Sequence, residues 1–347
     1  VAGDLSPFVG EQSQITITFD NQPTAMPGGD VGFAPYVDLI LPVNGRDGFG
    51  PGNAAPVQND GVSFVSATLF GTPLAATVIE FDSNGSATHP FARDHLSGNL
   101  RVVSAAAYGA ASGDQLVVLR LQFGCLVSSQ PALDVTVTVL TSPLADLNTP
   151  LSVTAIGGFA FGCDPLDNPT VDAPLLGAPV TAAITPTLFG LNKTVTGREG
   201  ETATGPNFEQ SYRIAVDLAA NQTISNLVIR DTLPNGIVVV GTPVLSVPGT
   251  AVYDPTTHSI VATLNSLTGG PGEDATVTFN FYVADRLIPG EPGVATLDPV
   301  TGAPRSGAST VGLSNGSQPT AKPPIAVTES GVLRSAKGEV RTVTVTS

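Results

Sequence analysis

Tryptophan is absent from this chain, methionine occurs once, cysteine twice and histidine three times. Lysine stands only at Lys193, Lys322 and Lys337. Charge of either sign is scarce, at 12% of 347 residues, about half the roughly 25% of ordinary soluble domains. Each scarcity excludes something. Two cysteines cannot build a CxxC-type zinc site. The 14 basic residues against 29 acidic ones give a net charge of −15, which repels a phosphate backbone, so no nucleic-acid partner is expected. No run of 18 or more apolar residues occurs, so no transmembrane helix and no membrane insertion are expected. The opening VAGDLSPF has neither a basic n-region nor an apolar h-region, so no signal peptide is expected within it. Helical periodicity is missing except for a short helix expected near Ala105–Ser112. No G-x-S-x-G, H-E-x-x-H or P-loop spacing occurs, and spacing singles out no carboxylate pair. No catalytic residue is assigned, and the chain is not expected to be an enzyme.

What is present is a repeated alternation of apolar and polar residues in short runs, broken by 38 glycines and 30 prolines. Ile15, Ile17 and Phe19 alternate in EQSQITITFDN; Ala275 to Val283 alternates strictly. Side chains at every second position share one face of a strand, so such runs read as half-buried strands. Strands are expected at 36–41, 62–70, 77–81, 100–104, 115–123, 133–140 and 151–161, and again at 187–195, 211–218, 226–232, 237–240, 251–253, 259–264, 309–315, 325–328 and 340–345. Residues 44–61 and 82–99 read as long loops, and residues 164–186, rich in Pro and Asp, as a linker. The chain is long for one sandwich and comfortable for two, so we expect an all-β protein of two tandem β-sandwich domains with long loops, 1–183 and 184–347. The halves also rhyme. Each has an aliphatic strand ending in Leu-Pro, at Leu41-Pro42 and Leu233-Pro234, and a late Val/Thr strand, which marks a diverged tandem repeat.

The most specific stretch is Asn226 to Gly236, NLVIRDTLPNG. Pro234 cannot donate a ladder hydrogen bond, and Asn235-Gly236 tolerate positive φ, so a strand ends in a tight corner and the hairpin continues at Ile237. A Tyr-Asp-Pro-Thr-Thr turn and a second apolar strand follow. Across roughly residues 187–284 this resembles the immunoglobulin-like repeat of bacterial surface proteins once catalogued as domain of unknown function eleven. It is similar too to the isopeptide-forming domains of fimbrial proteins. The first domain resembles the same broad class, and FGCDPLDNP and HPFARD look like parts of large bacterial surface proteins. The resemblance implies immunoglobulin-like sandwiches at the cell surface or in secreted form, working as stalk, adhesin or coat.

In such domains a Lys amine is joined to an Asn side chain beside an acid. The matching positions are Lys193 in the first strand of the second domain, Asn315 in a late strand and Asp231 of DTLP. The bland alternatives are that Asp231 caps the corner and that Lys193 points to solvent. Burial would lower the Lys pKa and raise that of the acid, as the chemistry needs. Cys125 and Cys163, each after Phe-Gly, could form a disulfide in an oxidising compartment or remain buried thiols. Asp164, Asp167 and Asn168, and in the loop Asp47, Asn53, Asn59 and Asp60, offer oxygen ligands for calcium, the one cofactor considered; in turns such residues also bond their own backbone. His89, Asp94 and His95 read as a surface loop.

The function expected is therefore that of an extracellular structural protein of a bacterial surface filament, stalk or layer. Assembly would run through strand edges with itself or neighbouring surface domains, and the terminal Val340, Thr342, Val343 and Val345 would add a strand to a partner sheet. The alternative is an adhesin-type module whose loops 44–61 and 82–99 bind a glycan or cell-surface receptor.

Overall fold

The computed structural model describes residues 5–22, 31–45, 59–94, 96–161, 175–197, 209–233, 237–283, 327–334 and 340–342. The protein is all-β. Among the described residues the sole helical element is one 3-10 turn, Ala105–Tyr108, closed by Gly109 in the left-handed region. No helix of the described residues is long and apolar enough to cross a membrane. The chain divides into two compact units, Val1–Thr187 and Leu188–Ser347.

In the first unit one sheet runs in the order Gln12–Phe19, Leu133–Thr141, Val62–Leu69, Thr72–Pro73. The other places Leu151–Phe159 beside Pro35–Leu41, then Gln115–Arg120, then Ala76–Glu80. Alternation decides which side chains meet. Ile15, Ile17, Val135, Val137 and Val139 of the first sheet pack with Val37, Leu39, Val117 and Leu119 of the second in one buried cluster. Residues 175–186, expected in a linker, instead extend this sheet. Leu175–Leu176 and Val180–Ile184 both pair with Leu151–Phe159. Leu5 and Phe8 bridge Ile184 and Thr187 in parallel before the chain crosses to the other sheet at Gln12.

Every residue of Pro35–Leu41 is buried, which a two-layer sandwich would not produce. The outward positions are covered by a third layer. The segment 82–99, expected to be loop, contains the strand Ser86–Arg93, which pairs with Leu100–Ser104. This hairpin lays Ala87, Ala92 and Val103 on Tyr36, Ile40, Leu116 and Val118. His89 is therefore not on a surface loop; it is fully buried. Its Nδ1 accepts the backbone N–H of Ala92 at 2.8 Å, so Nε2 carries the proton and donates to Asp38 at 3.1 Å. Arg101, from the second strand of the hairpin, pairs with the other Asp38 oxygen. One buried carboxylate thus ties both strands of the covering hairpin to the sheet. Burial and the neighbouring Asp38 push the Tyr36 hydroxyl up, against the pull of Arg101. Asp94 closes the hairpin loop by accepting the N–H groups of Leu96 and Ser97.

In the second unit the first sheet is ordered Phe189–Gly197, Gln210–Leu218, Ala275–Val283, Ile237–Leu245. The second is ordered Gly249–Asp254, Ser259–Thr268, Thr223–Thr232, Val327–Arg334, Val340–Thr342. The corner after Thr232 therefore does not join a hairpin, as its turn residues led us to expect. Thr223–Thr232 and Ile237–Leu245 belong to different sheets. The physical reason lies in what the corner buries. Asp231 and Leu233 are both fully buried, and the Leu233 N–H keeps the register of the ladder by donating to the His258 carbonyl. The strand is thus held to its own sheet through Leu233, and the chain enters the other sheet at Ile237. Pro234, Asn235 and Gly236 lie outside the described residues.

Replacing Asp38 by Ala leaves the Arg101 guanidinium and His89 Nε2–H without their acceptor, and loss of one partner of a buried charged pair costs about 3–5 kcal/mol. The Asp38→Ala chain should unfold its first unit that much more easily, and amide exchange at Ala87 and Val103 should accelerate ahead of exchange at Val135 and Val137. Equal acceleration at both places would show that the hairpin is not held separately.

Candidate functional site

Lys193 lies mid-strand in Phe189–Gly197, opposite Ile214. Tyr212, Ile214 and Val216 are buried while Arg213 is half-buried, and the register places Lys193, opposite Ile214, with that buried set. Asp231 comes from the facing sheet, paired on both sides, to Ile260 and to Val327. The two meet between the sheets. Lys193 Nζ donates to Asp231 Oδ2 at 2.5 Å. Asp231 is fully buried and the Lys193 side chain is 5% exposed. The lysine does not point to water, and in place of capping the corner Asp231 accepts from Lys193 through Oδ2.

The surroundings are aromatic. Nζ sits 4.1 Å from the centre of the Tyr212 ring and 5.7 Å from that of Phe279. Tyr212 stacks on Phe281 with centroids 4.1 Å apart. Burial pushes the Lys193 ammonium down from the ordinary lysine range, against the attraction of Asp231. The same burial pushes the Asp231 carboxyl up, against Lys193. The Tyr212 hydroxyl is raised, first by burial and then by Asp231. Both shifts move the pair away from the ion pair and toward its neutral form, an amine beside a carboxylic acid. Asp231 Oδ1 is buried and has no hydrogen-bond partner among the described residues. A buried carboxylate oxygen left unpaired is costly and rare, so this atom marks where a further donor fits.

The aromatic wall is the part that sequence reading did not name. Tyr212 and Phe279 sit at inward positions of two clean alternations, so that pattern, read against Lys193, would have found them. Asn315 lies outside the described residues. So do Cys163, Asp164, Asp167, Asn168, Asp47, Asn53 and His95. Cys125 is exposed, at the start of a short strand where it faces Phe33. Asn59 donates its N–H to Asn44, and Asp60 is fully buried. Among the described residues no group of three or more His, Cys, Asp or Glu is arranged to hold a metal. Val340 and Thr342 are in a strand that pairs on one side with Val332–Arg334; Val343 and Val345 lie outside the described residues.

Lys193→Met should leave Asp231 charged and alone in an apolar site and destabilise the second unit by about 3–5 kcal/mol, whereas Lys193→Met with Asp231→Leu should be close to neutral. The single variant should also show a distinct pH profile. A carboxyl raised in the folded state contributes stability below its unfolded value, near 4, and loses it as pH rises through the folded value. The Lys193→Met chain should therefore be more stable at pH 4.5 than at pH 7 in urea unfolding (both values are about where these ranges lie). A flat or opposite profile would mean that water reaches Asp231.

No protein-family model matches the chain, and no curated protein matches its sequence. Solved structures similar to it include BspA_C_mut, at 10% identity over 81% of this chain and 86% of that one, TM-score 0.25. A 35 kDa C-terminal fragment of the major pilin GBS80 of Streptococcus agalactiae is similar at 10% identity over 99% of this chain and 87% of that one, TM-score 0.27. A protein described as membrane anchored from Corynebacterium diphtheriae is similar at 10% identity over 99% and 88%, TM-score 0.25.

Proposed function

We propose that the second unit closes on itself through an amide bond between Lys193 and Asn315, and that the chain is a structural element of an extracellular bacterial filament, stalk or layer. The observation that carries this reading is the Lys193–Asp231 pair, sealed among aromatic rings with one carboxylate oxygen unpaired. The chemistry follows from the neutral form of the pair. The ammonium proton passes to Asp231, leaving a free amine and a carboxylic acid. The amine attacks the carboxamide carbon of Asn315 while the acid donates a hydrogen bond to the carboxamide oxygen. A new C–N bond forms, the bond to the original side-chain nitrogen breaks, and that nitrogen leaves as ammonia with one of the two amine hydrogens. Charge and atoms balance without any co-reactant.

Such a site turns over once and keeps its product, which suits a protein that bears load rather than one that processes substrate. Phe189–Gly197 pairs with Gln210–Leu218 among the described residues, and the reading requires a late segment to bring Asn315 to Nζ. The bond would then link the first strand of the unit to the segment preceding its last strands, and a pull on the chain would meet a covalent bond before it met ladder hydrogen bonds. Val340–Thr342, at the edge of its sheet, supplies the place where a neighbouring copy adds a strand.

Intact-mass measurement of the natural chain tests this directly. Ammonia loss should make it lighter by about 17 Da, the mass that the bond-forming reaction expels. Lys193→Met, Asp231→Ala and Asn315→Ala chains should each show their full calculated mass. A natural chain at full mass, after ample time for reaction, would overturn the proposal.

A further inference from the structure

Asparagine is followed by glycine at Asn44, Asn84, Asn235 and Asn315. Such a pair carries a reactivity of its own. Glycine has no side chain to shield its backbone nitrogen, so that nitrogen can reach the side-chain carbon of the asparagine before it and close a five-membered imide. Whether it does so depends on what holds the carboxamide. Asn44-Gly45 and Asn84-Gly85 lie among the described residues, and the fold treats them in opposite ways.

Asn44 is fixed at both ends of its carboxamide. Nδ2 donates to the Ser112 carbonyl at 3.1 Å, and Oδ1 accepts the N–H of Asn59 at 3.2 Å. A Cβ on Gly113 would come within 2.2 Å of Nδ2, so the group is walled in as well. Asn84 is the contrary case. It is exposed, in the corner that leads into Ser86–Arg93, and its carboxamide is bonded to no described residue. Only the main chain is held there. The Asn84 N–H donates to Asp82 Oδ1 at 2.9 Å, and the Gly85 N–H to the Asp82 carbonyl at 2.8 Å. Gly85 stands at φ +69°, which favours glycine over any side chain, so the corner keeps the reactive pair together for a conformational reason. Asp82, Ser83 and Asn84 are all exposed. Backbone bonds in such a turn open at little cost, and opening frees the Gly85 nitrogen.

We propose that Asn84 is a site of spontaneous deamidation, and that the reaction loosens the covering hairpin of the first unit as the protein ages. The Gly85 nitrogen loses its proton and attacks Cγ of Asn84. An N–Cγ bond forms, the Cγ–Nδ2 bond breaks, and Nδ2 leaves as ammonia with the hydrogen from Gly85. Water then opens the imide at either carbonyl. One product is aspartate. The other is isoaspartate, in which the main chain runs through Cγ and gains a carbon. Water is the one reactant consumed. The position gives the product its effect. The Gly85 carbonyl accepts the N–H of buried Ala105 at 2.8 Å, which fixes the 3-10 turn directly after Leu100–Ser104. Asp82 exchanges bonds with Ser86: its N–H donates to the Ser86 carbonyl, and its Oδ1 accepts the Ser86 N–H, both at 2.9 Å. These bonds set the start of the other strand. An extra main-chain carbon between them draws Gly85 away from Ala105, whose buried N–H then lacks its acceptor, and places a second carboxylate beside Asp82. Both strands of the hairpin are anchored at this one corner, so both are loosened together.

The test is to age the full folded chain in warm, mildly alkaline buffer and to follow its peptides by mass and retention. The peptide holding Asn84 should become heavier by about 1 Da, the difference between ammonia lost and water gained, and should resolve into two species of that mass. The peptide holding Asn44 is the internal reference and should react roughly tenfold or more slowly. In urea, where neither corner is formed, the two should react at equal rates. The Lys193–Asn315 amide would instead leave the chain about 17 Da lighter and lies in other peptides, so each reaction is read without the other. Amide exchange at Ala87 and Val103 should accelerate in the aged chain. It should stay slow in an Asn84→Gln chain aged alongside, whose longer side chain closes no five-membered ring. Asn84 left intact by the same ageing, Asn44 reacting as fast as Asn84 in the folded chain, or unchanged exchange at Ala87 and Val103 in chains that carry isoaspartate would each overturn the proposal.

Discussion

A strand shows alternate side chains to opposite faces, and this protein puts a carboxylate on a fully buried face twice. In each unit an aliphatic strand that ends in Leu-Pro carries an aspartate deep in the structure, Asp38 in the first and Asp231 in the second. An isolated buried carboxylate cannot stay charged at acceptable cost. What surrounds each one must supply a partner, and the choice of partner separates the two units. Asp38 stands four residues before its proline and Asp231 three before its own. A shift of one position moves a side chain to the other face of the strand. Asp38 thus faces the covering hairpin and finds Arg101 and a neutral histidine. Asp231 faces the inside of the sandwich and finds Lys193.

The difference in partner is a difference in chemistry. Arginine keeps its proton under any condition a protein meets, and its planar fork serves as a fixed donor. The Asp38 cluster can only hold. Lysine releases its proton when it is taken out of water, and here burial moves the amine and the acid toward each other's range. The first unit contains no lysine at all between Val1 and Thr187. Any reaction of a lysine amine is confined to the second unit by composition, and Lys193 is the buried lysine among the described residues.

Alternation made most strands legible, because a half-buried strand writes its period into the sequence: Ile15, Ile17 and Phe19, or Val277, Phe279 and Phe281. It failed where burial was two-sided or where pairing partners were distant. Ser86–Arg93 reads SATHPFAR, with a histidine, a proline and an arginine in eight residues, and resembles a loop until the buried Asp38 that explains the histidine is known. The corner at Asp231 carries good hairpin residues, yet turn chemistry reports that a strand stops and not which sheet the chain enters next. At the site, Lys193 and Asp231 were readable from their motif, and their burial was not; one polar residue per alternation is equally consistent with a solvent face. Phe70 was read simply as the end of a strand, since its left-handed conformation has no signature beyond the glycine that follows it.

A buried ion pair is a poor way to gain stability, since a well-packed apolar pair of similar volume does as well or better. The Lys193–Asp231 pair therefore asks for another explanation than holding the sheets together. Specifying how the sheets face each other is one; Tyr212, Phe279 and Phe281 stack within a single sheet and leave that task to contacts that cross between sheets, such as this pair. Reactivity is the other. The same desolvation that makes the ion pair costly moves the amine down and the acid up, so the cost and the proposed chemistry have one cause. The amide proposed above would remove the cost, because no charged lysine would remain in the apolar site, and the pair would then be a transient arrangement replaced by a bond.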